Sequence, residues 1–105
     1  MTRGVFVLTL ATVLALLAPT GHAATPQVQI KAFQFVPATL MVPVGATVTW
    51  TNDDDETHTV TATDRAYTSS GLEHADRYAH RFTAPGTYTY FCALHPHMTA
   101  TVVVR

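Results

Sequence analysis

Thr47-Val48-Thr49-Trp50-Thr51-Asn52 alternates with period two, Val48 and Trp50 on one face and threonines on the other. β-Branched and aromatic residues in that pattern mark a strand with one buried face. The same signal recurs on both sides. Upstream, Leu40, Val42 and Val44 alternate up to Gly45. Before them Val28 and Ile30 are followed by Phe33 and Phe35, and the slip of phase predicts a bulge near Ala32. Downstream, Asp53, Asp54, Asp55 and Glu56 form a polar turn. His58, Val60 and Ala62 then share an inner face, against Thr57, Thr59, Thr61 and Thr63 outside. A looser stretch, residues 64–77, carries Ser69-Ser70-Gly71 as its turn signal. Tyr78, His80 and Phe82 alternate up to the turn Ala84-Pro85-Gly86, and Tyr88, Tyr90 and Cys92 share a face of the next strand. Residues 99–105 are β-branched at five of seven positions, which predicts a final strand. No segment has a helical period. Short strands with turns at intervals of about ten residues predict an all-β sandwich or barrel.

The N-terminus reads differently. Met1-Thr2-Arg3 precedes an apolar or small-residue run over residues 5–18, and Gly21-His22-Ala23 is a small-residue cleavage signature. That is the pattern of a secretory signal peptide over residues 1–23, too short and wrongly flanked to span a bilayer. The expected mature domain, residues 24–105, has about 82 residues, one small domain with a marginal core. Its five cations (Lys31, Arg65, Arg77, Arg81, Arg105) face seven anions, with no basic stripe. Nucleic acid is therefore not an expected partner, nor is stable membrane insertion. The leader implies a periplasmic or secreted protein, yet the chain has one cysteine and cannot form an internal disulfide. A bound metal would both staple a small domain and give an unpaired thiol a reason to exist.

Tyr90-Phe91-Cys92-Ala93-Leu94-His95-Pro96-His97-Met98-Thr99 supplies the ligands. Cys92, His95 and Met98 stand three residues apart and offer thiolate, imidazole and thioether, a soft set that suits copper. A loop from Ala93 to Met98, turning back into the last strand, would aim all three at one point. One more histidine would complete a two-His, one-Cys plane with a weak axial Met, and His58, at the start of a different strand, is the leading candidate. Structural zinc fits poorly, since it takes more Cys or His and seldom Met. His74 and His80 have no ligand spacing and read as surface residues.

Two patterns carry a resemblance. The first is Phe35-x-Pro37-x-x-Leu40-x-Val42-x-x-Gly45-x-x-Val48-x-Trp50-x-Asn52. The second is Phe82-x-x-Pro85-Gly86-x-Tyr88-x-Tyr90-x-Cys92-x-x-His95-Pro96-x-Met98. Together they resemble the cupredoxins, the small blue copper proteins of the plastocyanin, amicyanin and pseudoazurin group, and the short ligand loop is most similar to amicyanin. The resemblance implies a Greek-key β-sandwich with one type 1 copper ion, His58 and His95 as equatorial imidazoles, Cys92 as thiolate and Met98 as axial thioether. It implies a monomeric electron carrier, not an enzyme, whose partners are redox proteins such as a c-type cytochrome or a dehydrogenase. His95 would lie near the surface within an apolar docking patch. Tyr88 resembles the tyrosine corner of Greek-key sandwiches.

The chain departs from the family at several positions. Thr59 stands where an Asn often ties the ligand loops together, which bears on tuning of the potential. His97 replaces an aromatic and puts a titratable group into the apolar patch, so its protonation is expected to weaken docking. Ala100 replaces a Gly, and residues 71–77 lack a Pro-Gly turn. The acidic turn, residues 53–56, would either steer a basic partner or be a solvated turn. The competing function is copper trafficking, against which Met41 and Met98 are the only methionines after the leader.

Overall fold

A computed structural model describes residues 2–9, 11–12 and 25–105. The expected cleavage point at Ala23, with the rest of residues 13–24, lies outside the described residues. No helix among the described residues is long and apolar enough to cross a membrane.

Residues 27–104 carry eight strands: β1 (Gln27–Lys31), β2 (Gln34–Val36), β3 (Thr39–Val42), β4 (Thr47–Asn52), β5 (Thr61–Ala62), β6 (Arg77–Arg81), β7 (Gly86–Cys92) and β8 (His95–Val104). They form two sheets, ordered β2-β1-β4-β6 and β3-β8-β7-β5. β1 pairs β4 and β3 pairs β8 in parallel, and the other pairs are antiparallel. Only β1–β2 and β7–β8 are hairpins within a sheet, so every other connection crosses between sheets. The two inner faces close on each other. Val28, Ile30, Val48 and Trp50 meet Tyr90, Cys92, Val102 and Val104, all buried, as period-two alternation on two packed sheets requires. Trp50 lies against Tyr90 (5.4 Å between centroids), Tyr78 and Phe82.

Two turns hold the ends. Gly45 has φ 89°, a left-handed conformation that only glycine adopts freely, and its N–H donates to the Phe82 carbonyl at 2.7 Å. The Tyr88 hydroxyl donates to the Ala84 carbonyl at 2.7 Å, the expected tyrosine corner.

Five local expectations are corrected. The slip near Ala32 is a hairpin turn rather than a bulge: Ile30 pairs Phe35 and Lys31 pairs Gln34 across a two-residue loop, Ala32-Phe33. The strand expected from His58 is reduced to Thr61–Ala62, with His58 bridging Leu72. Thr59 and Thr61 are buried with His58, Val60 and Ala62, because their hydroxyls find partners inside. The last strand starts at His95, four residues early, since Cys92 pairs His95 after a register shift at Phe91/Cys92. Finally, His80 is half-buried and stacks on Tyr67 at 4.1 Å, and that burial pushes its pKa below the ordinary 6.5.

Candidate metal centre

The site sits where β7 turns into β8. Only Ala93 and Leu94 separate the two strands, so His95, His97 and Met98 project from a strand rather than from a loop. Exposure follows strict alternation only from Met98 onward: Cys92 and Met98 are buried, His95, paired with Cys92 beyond the register shift, is half-buried, and His97 faces out. A tight hairpin with paired strands leaves its side chains little freedom, which keeps a ligand set in place.

His58 arrives from the other side of the sandwich end, fully buried. Its Nδ1 lies 3.7 Å from Cys92 Sγ, and His95 Nδ1 lies 3.6 Å from the same sulfur. The donor atoms of His58, Cys92 and His95 all fall within 4.8 Å of one another. The two imidazole centroids are 5.0 Å apart. Met98 lies buried three residues beyond His95 on β8. Of the four expected ligands, three thus converge, and the fourth, Met98, follows on the strand that carries His95. Among the described residues this is the only such cluster of ligating side chains.

The sulfur is also held from the His58 side. The Thr59 N–H donates to Cys92 Sγ at 3.3 Å. Thr59 also ties the two ligand segments as an Asn would. Its Oγ1 accepts the Ala93 N–H at 2.8 Å. From there the hydroxyls run Thr59 to Thr61 (3.0 Å) and Thr61 to Thr68 (3.0 Å), and Thr68 donates to the Ser69 carbonyl (3.2 Å). An amide that can only donate at one end and a carbonyl that can only accept at the other set the direction of every bond between. This chain accounts for the burial of Thr59 and Thr61.

Sequence reasoning missed three residues that shape the site. Asn52 is fully buried, donates from Nδ2 to the Glu56 and Leu72 carbonyls (2.8 Å each) and accepts the Asp54 N–H (2.9 Å). It folds the acidic turn onto His58. Within that turn Asp54 is no solvated side chain: it is 13% exposed and its Oδ2 is 2.8 Å from His58 Nε2. Burial pushes its carboxyl up, but hydrogen bonds from the Phe33 and Ala32 amides and from His58 outweigh it, so its pKa lies below the ordinary 3.8. Phe33, at the hairpin tip, presents its ring edge-on to both imidazoles at 5.1 Å. A run of four acids cannot reveal which one turns inward. Only the Asn52-x-Asp54 spacing, a side chain that caps its own turn, hints at it.

Asp53, Asp55, Glu56 and Glu73 are exposed around this end, and His74 is exposed as expected, 3.2 Å from the Asp54 carbonyl. His97 lines a cleft of about 400 Å³ with Phe33, Phe35, Ala38 and Met98. Buried thiol, paired imidazoles and a neighbouring thioether form a donor set that fits one copper ion better than zinc or a hard cation.

Known proteins share this fold. The profile of the cupredoxin-like domain matches residues 4–104. Amicyanin-alpha of Methylorubrum extorquens is 32% identical over 88 residues, covering 79% of this chain and 74% of that protein. Amicyanin of Paracoccus denitrificans is 34% identical over 83 residues, 74% of this chain and 63% of that protein. The purple cupredoxin from Nitrosopumilus maritimus superposes with a TM-score of 0.73 at 34% identity, covering 76% of this chain and 99% of that one. With this strand order and these shared positions, the chain belongs to the cupredoxin-like family.

Proposed function

We propose that the protein is a small electron carrier that holds one copper ion through His58 Nδ1, Cys92 Sγ, His95 Nδ1 and the Met98 thioether. The observation that carries this reading is the approach of both Nδ1 atoms to one buried sulfur, 3.6 and 3.7 Å away. Bound there, copper would supply a one-electron couple between Cu(II) and Cu(I). The chain's own residues do the rest. Ligands on the paired strands β7 and β8 resist rearrangement, the Thr59 amide hydrogen-bonds Sγ, and the half-buried His95 offers an imidazole edge to a docked partner.

Residues 1–23 would act as a leader that delivers the domain, residues 24–105, to the periplasm or outside the cell. The partners would be redox proteins carrying positive charge near their docking face, a c-type cytochrome or a dehydrogenase, because the exposed acids next to His58 favour such an approach.

The test is direct. Cu(II) added to the metal-free protein should give an intense thiolate-to-copper absorption in the visible, absent from Cys92→Ala, and a reversible one-electron wave. A colourless complex would defeat the assignment. Loss of the absorption on mixing with a metal-free acceptor, without electron exchange, would favour trafficking instead.

A further inference from the structure

The β1–β2 hairpin tip belongs to the opposite sheet from Cys92 and His95, yet it touches the metal centre. Its turn residues Ala32 and Phe33 both have positive φ, 52° and 58°. Two-residue turns of this kind are normally built with Asn-Gly, since a side chain at such a φ is strained. Here the turn is held from outside. Asp54 Oδ1 accepts the Ala32 N–H at 2.7 Å, and Oδ2 accepts the Phe33 N–H at 2.9 Å. The same Oδ2 meets His58 Nε2 at 2.8 Å. A carboxylate can only accept, so Nε2 carries the proton and Nδ1, facing Cys92, keeps its lone pair. One side chain thus satisfies two strained amides and selects the tautomer that a metal needs. The turn it holds carries a phenyl ring, 40% exposed, with both imidazoles edge-on at 5.1 Å.

We infer that Asp54 is a positioning residue of the centre, locking His58 in the Nε2–H form and clamping the Ala32-Phe33 turn so that Phe33 covers both histidines and slows loss of the metal. The inference rests on the ligand set proposed above. It also separates the two competing functions, because a covered centre retains its ion whereas a trafficking site must release it.

The experiment compares the parent with Asp54→Ala, the volume-conserving Asp54→Asn, and Phe33→Ala. In the metal-free protein at a pH where imidazoles are neutral, nitrogen–proton NMR should show His58 as the Nε2–H tautomer. Asp54→Ala should mix the tautomers and speed exchange of the Ala32 and Phe33 amides about tenfold or more; if that variant does not fold, Asp54→Asn should do the same. Unchanged tautomer and amide exchange would overturn the clamp. With Cu(I) loaded, transfer to a bathocuproine-type chelator should be about 10–100-fold faster in the Asp54 variants. Phe33→Ala should lose copper faster too, with the His58 tautomer unaltered. A parent rate in Phe33→Ala would overturn the cover. The NMR arms need no metal, so a parent that failed to bind copper would defeat the copper assignment while the clamp was still decided.

Discussion

Asn52→Ala should damage this protein more than any other polar-to-alanine change outside the ligands. The side chain is fully buried and makes three hydrogen bonds, two donated to the Glu56 and Leu72 carbonyls and one accepted from the Asp54 N–H. The bond to Leu72 is buried and the others are partly so. A buried backbone group left without its partner costs about 1–3 kcal/mol, and a half-exposed one about 1 kcal/mol. The loss should therefore total about 4 kcal/mol, a large share of the roughly 4–12 kcal/mol expected for a domain of this length. Urea unfolding of the metal-free protein, followed by fluorescence of its single tryptophan, Trp50, would show the midpoint falling by about 4 M at a slope near 1 kcal/mol/M. Asn52→Asp should fare no better, because it keeps the acceptor for Asp54 but sets a carboxylate against two carbonyl oxygens. A loss below about 1 kcal/mol in Asn52→Ala would refute the claim that this residue folds the turn onto His58.

Thr59→Val removes the acceptor for the Ala93 N–H and the head of the hydroxyl chain; the cost should be about 2 kcal/mol, with Thr59→Ser close to the parent in the same urea titration. The burial-lowered pKa of His80 makes stability pH-dependent. Its contribution is complete above the unfolded value of 6.5 and is lost as pH falls below it toward the lower folded value, so His80→Gln should flatten the loss below about pH 6.5. Asp54, whose folded pKa is also lowered, adds a second loss at lower pH, below its unfolded 3.8. Exchange with a cationic redox partner should slow as salt rises. Neutralising Asp53, Asp55 and Glu56 together should weaken that dependence, and rates indifferent to ionic strength would remove the steering role.

The strand pattern was legible because burial on two packed sheets writes itself as period two. Trp50 and Tyr90 were readable as core, and Cys92, His95 and Met98 were readable as ligand types at fixed spacing. Where polar residues are buried, the same rule misleads. Thr59 and Thr61 look like an outer face, yet they lie inside because their hydroxyls are satisfied by one another, by the Thr68 hydroxyl and by the Ala93 amide.

The sequence by itself determined an all-β domain, a soft donor set and the family they belong to, since each depends on residue type and near spacing. Tertiary structure alone decided how that set is held. It brought His58, 34 positions before Cys92, to the sulfur, chose Asp54 from a run of four acids, and set Phe33 over both imidazoles from the far sheet. Those contacts join segments whose separation along the chain says nothing of their distance. Only packing two sheets face to face, with the hairpin tip and the acidic turn at the same end, makes them neighbours.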